Sequence, residues 1–245
     1  MTDQSKGARP SWEIPRMNPM NKTKPKTVRN RQRLSGDEIQ VNHAQQEERN
    51  AFFRRFGYDQ DAAVKFVLSK ALPLSGPVLD IGTGKGRFVV ALAPHVARVT
   101  TVDISAAEQR YARLEAAYAG VTDRIRFLAC DAAKLPWRMA RFDAVVSMKA
   151  IHHLDDPDKV LAEMLRVLRP GGKLVLADFS VGGFRVMDVI HRAEGRTHPH
   201  PPSRFLRWKA RLRSQGFRVK HFRDRHHEVL VAEQQRRQIA GAKPG

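Results

Sequence analysis

The stretch Val78–Gly86, which reads VLDIGTGKG, decides the fold of this chain of 245 residues. Residues Pro77–Ile81 form a short apolar run with one acid, Asp80, which is typical of a buried strand. Glycines follow at positions 82, 84 and 86, and they allow the backbone to turn sharply and approach a ligand without a Cβ in the way. The stretch therefore predicts a strand that ends in a ligand-binding turn.

Strands and helices alternate outward from this turn. Helical periodicity resumes over Arg87–Val96, and the next strand covers Arg98–Ile104. Ser105, with Glu108 three positions later, predicts a capping box at the start of a helix over 106–119. Further strands are predicted at 125–130, 142–148, 173–179, 217–222 and 228–232, and further helices at 37–56, 60–72, 156–168 and 203–214.

This alternation is typical of a parallel sheet with right-handed crossovers. The predicted fold class is α/β, with a Rossmann-like, seven-stranded, mostly parallel sheet, helices on both faces and an antiparallel last strand. The last strand is antiparallel because the connector Arg223–His227 is too short for a parallel crossover.

Composition divides the chain into three parts. Residues 1–35 contain nine Lys/Arg, two acids and four prolines, so we predict a basic, disordered extension. Residues 36–235 form one domain, with N-terminal helices at 36–72, a core at 73–179, and an insertion with closing strands at 180–235. Residues 236–245 are predicted to be a frayed tail.

Charge and composition exclude several classes of protein. The chain has 44 Lys+Arg against 25 Asp+Glu, so its formal net charge is +19, which favours contact with polyanions. No stretch approaches the roughly 18 apolar residues of a membrane span, and the N-terminus lacks the apolar core of a signal peptide. One cysteine, Cys130, excludes a disulfide scaffold and multi-cysteine metal sites. A reducing, cytoplasmic location is therefore expected.

Two carboxylates indicate what the glycine turn binds. Asp103 ends the second strand 21 residues after Gly82, where a carboxylate can accept hydrogen bonds from both ribose hydroxyls. Asp80 would repel a pyrophosphate but attract an ammonium or sulfonium group. Lys85 is followed by Gly86 instead of Ser or Thr, so the turn is not a P-loop. These features favour a cationic, phosphate-free nucleoside, a description that S-adenosylmethionine fits.

Five motifs in order resemble those of the class I S-adenosylmethionine-dependent methyltransferases, and most closely the small-molecule branch that includes the ubiquinone/menaquinone-biosynthesis type. The motifs are VLDIGTGKG (78–86), TVDIS (101–105), CDAAKLPW (130–137), FDAVVSMKAIHHL (142–154) and LRVLRPGGKLVLAD (165–178). The resemblance covers residues 60–180 well and 203–233 in outline. It implies S-adenosyl-L-methionine as cofactor and methyl transfer as activity.

The resemblance also implies site residues. It places Asp80, Gly82, Thr83 and Gly84 beside the methionine moiety, Asp103 at the ribose hydroxyls, Ile104 on an adenine face, Asp131 and Ala132 at the adenine amino group, and Ser147 and Met148 below the sulfonium. For Asp103 and Asp131 the alternative is a helix cap or turn former. No catalytic residue is assigned. His152, His153 and Tyr58 are candidates, and a packing role is the alternative for each.

The methyl acceptor is not indicated by any motif. A small molecule is the leading hypothesis, and the acceptor site is expected to involve the insertion 180–202. The alternatives are an RNA or protein methyltransferase that uses the basic run Arg204–Arg225, and a non-catalytic module that binds S-adenosylmethionine. No metal site is predicted, because His198-Pro-His200 and His226-His227 lie in basic loop segments. No oligomeric state is indicated.

Overall fold

The computed structural model of the protein describes residues 34–197 and 201–234. The helices are α1 (Gly36–Arg54), α2 (Gln60–Ala71), α3 (Arg87–Leu92), α4 (Ala106–Tyr118), α5 (Pro157–Val167), α6 (Val181–Ala193) and α7 (Phe205–Ser214). The strands are β1 (Val78–Ile81), β2 (Val99–Asp103), β3 (Ile125–Ala129), β4 (Phe142–Met148), β5 (Leu168–Phe179), β6 (Phe217–Arg223) and β7 (His227–Gln234). Nearly all of the predicted extension, the predicted tail and the His198-Pro-His200 run lie outside the described residues.

The seven strands form one sheet in the order β3-β2-β1-β4-β5-β7-β6. Strands β1 to β5 are parallel, and β7 runs antiparallel to both of its neighbours, β5 and β6. The predicted fold class and the antiparallel last strand are therefore confirmed. The chain order reverses direction at β1, so β1 and β4 flank the position where such sheets bind ligands, at the carboxyl ends of the strands.

Two apolar clusters cover the two faces of the sheet. Leu79 and Ile81 point into a cluster with α5 and α7, whereas Val78 points into the cluster with α2 and α3. Because side chains of a strand alternate between faces, Asp80 lies on the same face as Val78. The acid of the glycine stretch is thus carried into the interior on the α2 and α3 side, where it is 1% exposed.

Two predicted boundaries differ from the structure by more than two residues. The predicted helix 87–96 is α only to Leu92 and continues as a 3₁₀ turn, Ala93–His95, whose second residue is a proline. The predicted strand 173–179 begins earlier, at Leu168, because Leu168 pairs with Phe142. Neither difference moves a strand end that faces the site.

One predicted helix cap forms only in part. The Ser105 hydroxyl accepts from the Glu108 backbone N–H at 3.1 Å, as expected. The return bond of a capping box is replaced, because the Ser105 N–H donates to Asp103 Oδ1 at 2.9 Å. The side chain of Glu108 lines a cavity instead. A complete capping box does form at Ser35 and Glu38, where α1 begins.

No helix among residues 34–197 and 201–234 is long and apolar enough to cross a membrane.

Candidate cofactor and active site

A cavity of about 550 Å³ opens at the carboxyl ends of the central strands. Its walls come from the glycine turn at 82–86, from the inner face of α1, and from Met148 and Lys149 at the end of β4. This volume is within the range of small-molecule sites in proteins. The position agrees with the rule that open α/β sheets bind ligands beyond the carboxyl ends of their strands.

The glycine turn is shaped by steric constraints at two positions. Gly82 has φ +89°, and a Cβ there would lie 2.3 Å from the Cβ of Ala150, so only glycine fits. Gly84 has φ +48°, and a Cβ there would meet nothing within 4 Å. The backbone at Gly84 is therefore open to close approach by a ligand.

Beneath the turn, Asp80 ends a buried chain of polar side chains. Gln109 Nε2 donates to Thr83 Oγ1 at 3.1 Å, and the hydroxyls of Thr83 and Thr101 lie 2.7 Å apart. Thr101 Oγ1 donates to Asp80 Oδ2 at 2.7 Å. The other oxygen, Asp80 Oδ1, is buried and has no hydrogen-bond partner among the described residues.

The lone oxygen of Asp80 is the observation that points to a cationic ligand. Burial raises the pKa of Asp80 to about 7. A buried acceptor without a partner is costly, and such groups call for a ligand or solvent contact. The ammonium of S-adenosylmethionine would supply both the charge and the hydrogen-bond donor. The residues present therefore fit this cofactor.

Asp103 is oriented toward the turn by backbone groups. Gly84 N–H donates to Asp103 Oδ2 at 2.8 Å, and Ser105 N–H donates to Oδ1 at 2.9 Å. Each carboxylate oxygen keeps a second acceptor position for a further donor. The arrangement fixes the carboxylate beside the glycine turn, which is the position that the ribose role requires.

The remaining predicted cofactor residues divide into two groups. Met148 lines the cavity, and the buried Ser147 hydroxyl donates to Ile81 O at 2.9 Å, which ties the ends of β4 and β1 together. Ile104 is 79% exposed, and the exposed Asp131 accepts from Ala133 N–H at 2.8 Å in a short turn. Ile104, Asp131 and Ala132 lie at the ends of β2 and β3, outside the cavity wall.

The three catalytic candidates lie in different surroundings. His152 is buried, and its Nδ1 lies 2.6 Å from Asp178 Oδ1, away from the cavity wall. His153 is exposed and does not line the cavity. Tyr58 is fully buried, and its hydroxyl lies 2.8 Å from His227 Nε2 and 3.4 Å from Lys149 Nζ. Tyr58 is connected to the cavity wall through its hydrogen bond with Lys149.

Lys149 was not predicted as a site residue. Its backbone has φ +55°, in the left-handed region that non-glycine residues rarely adopt. Its ammonium lies over the rings of Tyr58 and Phe179, at 5.6 Å and 5.9 Å from their centroids. Burial and the nearby Arg87 lower the pKa of Lys149 to about 8. The available sequence signal was a charged residue directly after the apolar strand β4.

Helix α1 covers the cavity through polar contacts. Glu115 of α4 accepts from Asn42 Nδ2 at 3.2 Å and from Gln46 Nε2 at 3.1 Å, and it lies 2.9 Å from His43 Nδ1. Gln46 also donates to Lys85 O in the glycine turn at 3.3 Å. A helix held by hydrogen bonds to one carboxylate can close over a ligand and still release it.

The cavity wall is rich in cations. It carries Arg49, Lys85, Arg87, Lys149 and Arg196 against one acid, Glu108. Three of these cations have acidic partners beyond the wall: Arg87 lies 2.6 Å from Asp61, and Arg49 and Arg196 both contact Glu194. Burial lowers the pKa of Lys85, with Arg49 acting in the same direction. A carboxylate of a bound ligand would be stabilised by this surplus of positive charge.

Within residues 34–197 and 201–234, no three His, Cys, Asp or Glu side chains are grouped as metal ligands.

Fold and site together define an α/β domain that binds a nucleoside bearing a positive charge. Residues 79–176 match the family model described as a methyltransferase domain. The chain is 39% identical over 115 residues to the 27-O-demethylrifamycin SV methyltransferase of Amycolatopsis mediterranei. The aligned region covers 46% of this chain and 42% of that protein. The chain is also 37% identical over 109 residues to the demethylmenaquinone methyltransferase of Clavibacter sepedonicus, covering 44% and 43%.

A solved structure, the SAM-dependent methyltransferase of Aquifex aeolicus, has the same fold, with a TM-score of 0.53, 21% identity, and coverage of 69% of this chain and 88% of that one. The chain spans less than half of the length of the two curated relatives. Residues 79–176 therefore carry a class I S-adenosylmethionine-dependent methyltransferase domain.

Proposed function

We propose that the protein transfers the methyl group of S-adenosylmethionine to a small-molecule acceptor. The single observation that carries the proposal is the buried, partnerless oxygen of Asp80 beneath the open glycine turn, with Asp103 oriented beside it. When bound, the cofactor supplies an electrophilic methyl carbon on a good leaving group. The protein then has to hold donor and acceptor in line, and positioning alone can contribute roughly 7–11 kcal/mol.

The residues around the turn supply the binding contacts. Asp80 would accept from the ammonium of the cofactor, and Asp103 from the ribose hydroxyls. Met148 would lie near the sulfonium, on the side of the cavity where an acceptor can approach. Ile104, Asp131 and Ala132 would hold the adenine at the open ends of β2 and β3. These roles extend the resemblance residue by residue, and each can be tested by substitution.

The cavity favours a small acceptor over a polymer. Helix α1 covers it, so an acceptor has to fit beneath a helix. Part of the basic run that would favour RNA is used within the fold, because Arg204, Arg207 and Arg211 gather around Asp158. The two curated relatives carry names of small-molecule substrates, a rifamycin and a menaquinone precursor.

The proposal is tested with methyl-labelled S-adenosylmethionine and purified full-length protein. A bacterial lysate is separated into a small-molecule extract, RNA and protein, and each fraction is incubated with the labelled donor. We expect the label in the small-molecule extract and not in the macromolecules. Label in RNA that disappears at high salt would instead support the basic surface as the acceptor site.

The matched control for this assay is Asp103→Ala. If transfer depends on the proposed cofactor site, this variant loses the label in whichever fraction the wild type modifies. Calorimetric binding of S-adenosylhomocysteine provides a second readout that does not need the acceptor. Binding without any label would leave a cofactor-binding module as the function of the domain.

A further inference from the structure

A chain of buried polar groups connects the cavity to the protein surface. Lys149 Nζ on the cavity wall lies 3.4 Å from the Tyr58 hydroxyl, which lies 2.8 Å from His227 Nε2. On the other side of the imidazole, His227 Nδ1 lies 3.2 Å from Asp224 Oδ1. The Asp224 side chain is 34% exposed. The four groups come from three segments of the chain, because Asp224 and His227 lie in the same turn between β6 and β7, and the fold brings these segments together.

The hydrogen bonds that link these four polar groups all run in the same direction. Asp224 is an acceptor, and it fixes the imidazole with its Nδ1 as donor and its Nε2 as acceptor. The Tyr58 O–H then donates to Nε2, and the Tyr58 oxygen is left to accept from Lys149. The direction of donation runs from the cavity to the surface. Burial holds the pKa of His227 down to about 4, so its imidazole is neutral and able to accept at Nε2.

Lys149 is held in the left-handed backbone conformation, which non-glycine residues rarely adopt. Its N–H donates to Ala177 O at 2.8 Å, which helps to fix the left-handed conformation after β4. Left-handed conformations of non-glycine residues are strained and cluster at functional sites. The charged and titratable groups around the amine are Tyr58, Arg87, His227, Asp178 and Asp61. Arg87 favours the neutral amine, and the two aspartates oppose it.

We propose that Lys149 is the base that takes the proton of the methyl acceptor, and that Tyr58, His227 and Asp224 conduct this proton to solvent. This inference rests on the proposed methyl transfer. The acceptor atom uses its electron pair to bond the methyl carbon, the carbon–sulfur bond breaks with its pair on sulfur, and the acceptor proton passes to Lys149 Nζ. The resulting ammonium donates to Tyr58, and a proton leaves through His227 and Asp224 to water.

The pKa of Lys149 indicates which class of methyl acceptor it can deprotonate. General bases are most effective when their pKa lies near the working pH and near that of the group they deprotonate. The lowered pKa of Lys149, about 8, suits a weakly acidic hydroxyl group such as a phenol or an enol. A positively charged donor in the same cavity would lower this pKa further. Tyr58, His227 and Asp224 act through Lys149 and are therefore positioning residues.

The first experiment measures the pKa of the Lys149 amine in the absence of a methyl acceptor. The full-length protein is labelled with trace acetic anhydride between pH 6 and 10, and acetylation of individual lysines is quantified by peptide mass spectrometry. We expect a midpoint near 8 for Lys149, and a lower midpoint in Tyr58→Phe, because the ammonium loses an acceptor. Lys70, which lies 5.4 Å from the ring centroids of Phe66 and Phe222 outside the cavity, is followed in the same samples as the comparison lysine. A midpoint near 10 for Lys149 would overturn the proposal.

The second experiment measures transfer to the small-molecule extract at saturating labelled donor. Lys149→Met and Lys149→Arg should both slow transfer by about 100-fold or more, because neither offers a neutral amine. Lys149→Arg keeps the positive charge of the cavity wall, so its affinity for S-adenosylhomocysteine should stay within about twofold of the wild type, and Lys70→Met should leave the rate unchanged. In Tyr58→Phe the acid limb of the pH–rate profile should move. If Lys149→Arg keeps more than a tenth of the rate, the residue acts as a cation and is not the base.

The two proposals fail in different ways. Wild-type protein that binds S-adenosylhomocysteine but labels no fraction defeats the proposed function, and the base role with it. Wild-type transfer that is insensitive to Lys149→Arg defeats the base role and leaves the proposed function standing.

Discussion

At the scale of single residues, Asp80 illustrates how a binding group reduces stability. Its pKa is raised to about 7 by burial, so the folded state holds a proton that the unfolded state has lost between about pH 4 and pH 7. The contribution of Asp80 to the free energy of unfolding is therefore greatest below pH 4 and declines as the pH rises through this window. The carboxylate is retained in the fold although its charged form is disfavoured there.

Asp80→Asn should remove this pH dependence. Relative to the wild type, we expect the variant to gain about 2–4 kcal/mol in the free energy of unfolding between pH 4 and pH 7, because the amide does not ionise. Urea unfolding at several pH values measures the difference. The same variant should bind S-adenosylmethionine more weakly, since the charge facing the ammonium is lost. Parallel stability curves for the two proteins would show that Asp80 does not titrate in this range.

Asp103→Ala tests the ribose contact. We expect the free energy of S-adenosylhomocysteine binding to weaken by about 1.5–3 kcal/mol, because charge-assisted hydrogen bonds to the ribose are removed. Isothermal calorimetry measures this loss. Asp123→Ala, at an exposed acid in the turn before β3, serves as control and should bind normally. Equal affinities for all three proteins would rule out the assigned role of Asp103.

At the scale of elements, three polar side chains of α1 share one carboxylate of α4, that of Glu115. Glu115→Ala removes the acceptor shared by Asn42, His43 and Gln46, and we expect α1 to open more readily. Bound S-adenosylhomocysteine should then dissociate about tenfold faster, with a loss of about 1–3 kcal/mol in stability. Stopped-flow displacement measures the dissociation rate. Glu38→Gln removes only an exposed ion pair with Arg110 between the same helices and should change the rate little.

The elements differ in how far their sequences reveal them. The strands and the glycine turn were predictable, because their signals are local: apolar runs, glycines and an acid at a strand end. The site face of α1 was not, because it buries Asn42, Gln46 and Asn50 at helical spacing instead of apolar residues. Hydrophobic periodicity cannot detect a polar stripe of this kind. The contact between Tyr58 and His227 joins residues 169 positions apart, and no local pattern indicates it.

At the scale of the whole molecule, we expect that the net charge can be lowered without changing the stability of the domain. Removing residues 1–33 lowers the formal net charge from +19 to +12 and keeps the Ser35 and Glu38 capping box of α1. We predict an unchanged melting temperature and an unchanged affinity for S-adenosylhomocysteine, because the removed segment has few apolar residues. Calorimetry measures both quantities. A fall in melting temperature of several degrees would show that the segment stabilises the domain.

The same truncated protein reports on the polyanion hypothesis. It should elute from heparin at lower salt than the full chain, because it carries fewer cations. If elution is unchanged, the basic residues of α7 and β6 dominate the contact with polyanions.

The place of β7 in the sheet links catalysis to the order of protein synthesis. β7 is the last strand of the described residues, yet it lies between β5 and β6. Until the ribosome has released it, β5 and β6 present unpaired edges, which are prone to aggregation. His227, the first residue of β7, also completes the hydrogen-bonded chain from Lys149 through Tyr58. The insertion of β7 therefore joins β5 to β6 and completes the proposed proton route in the same step.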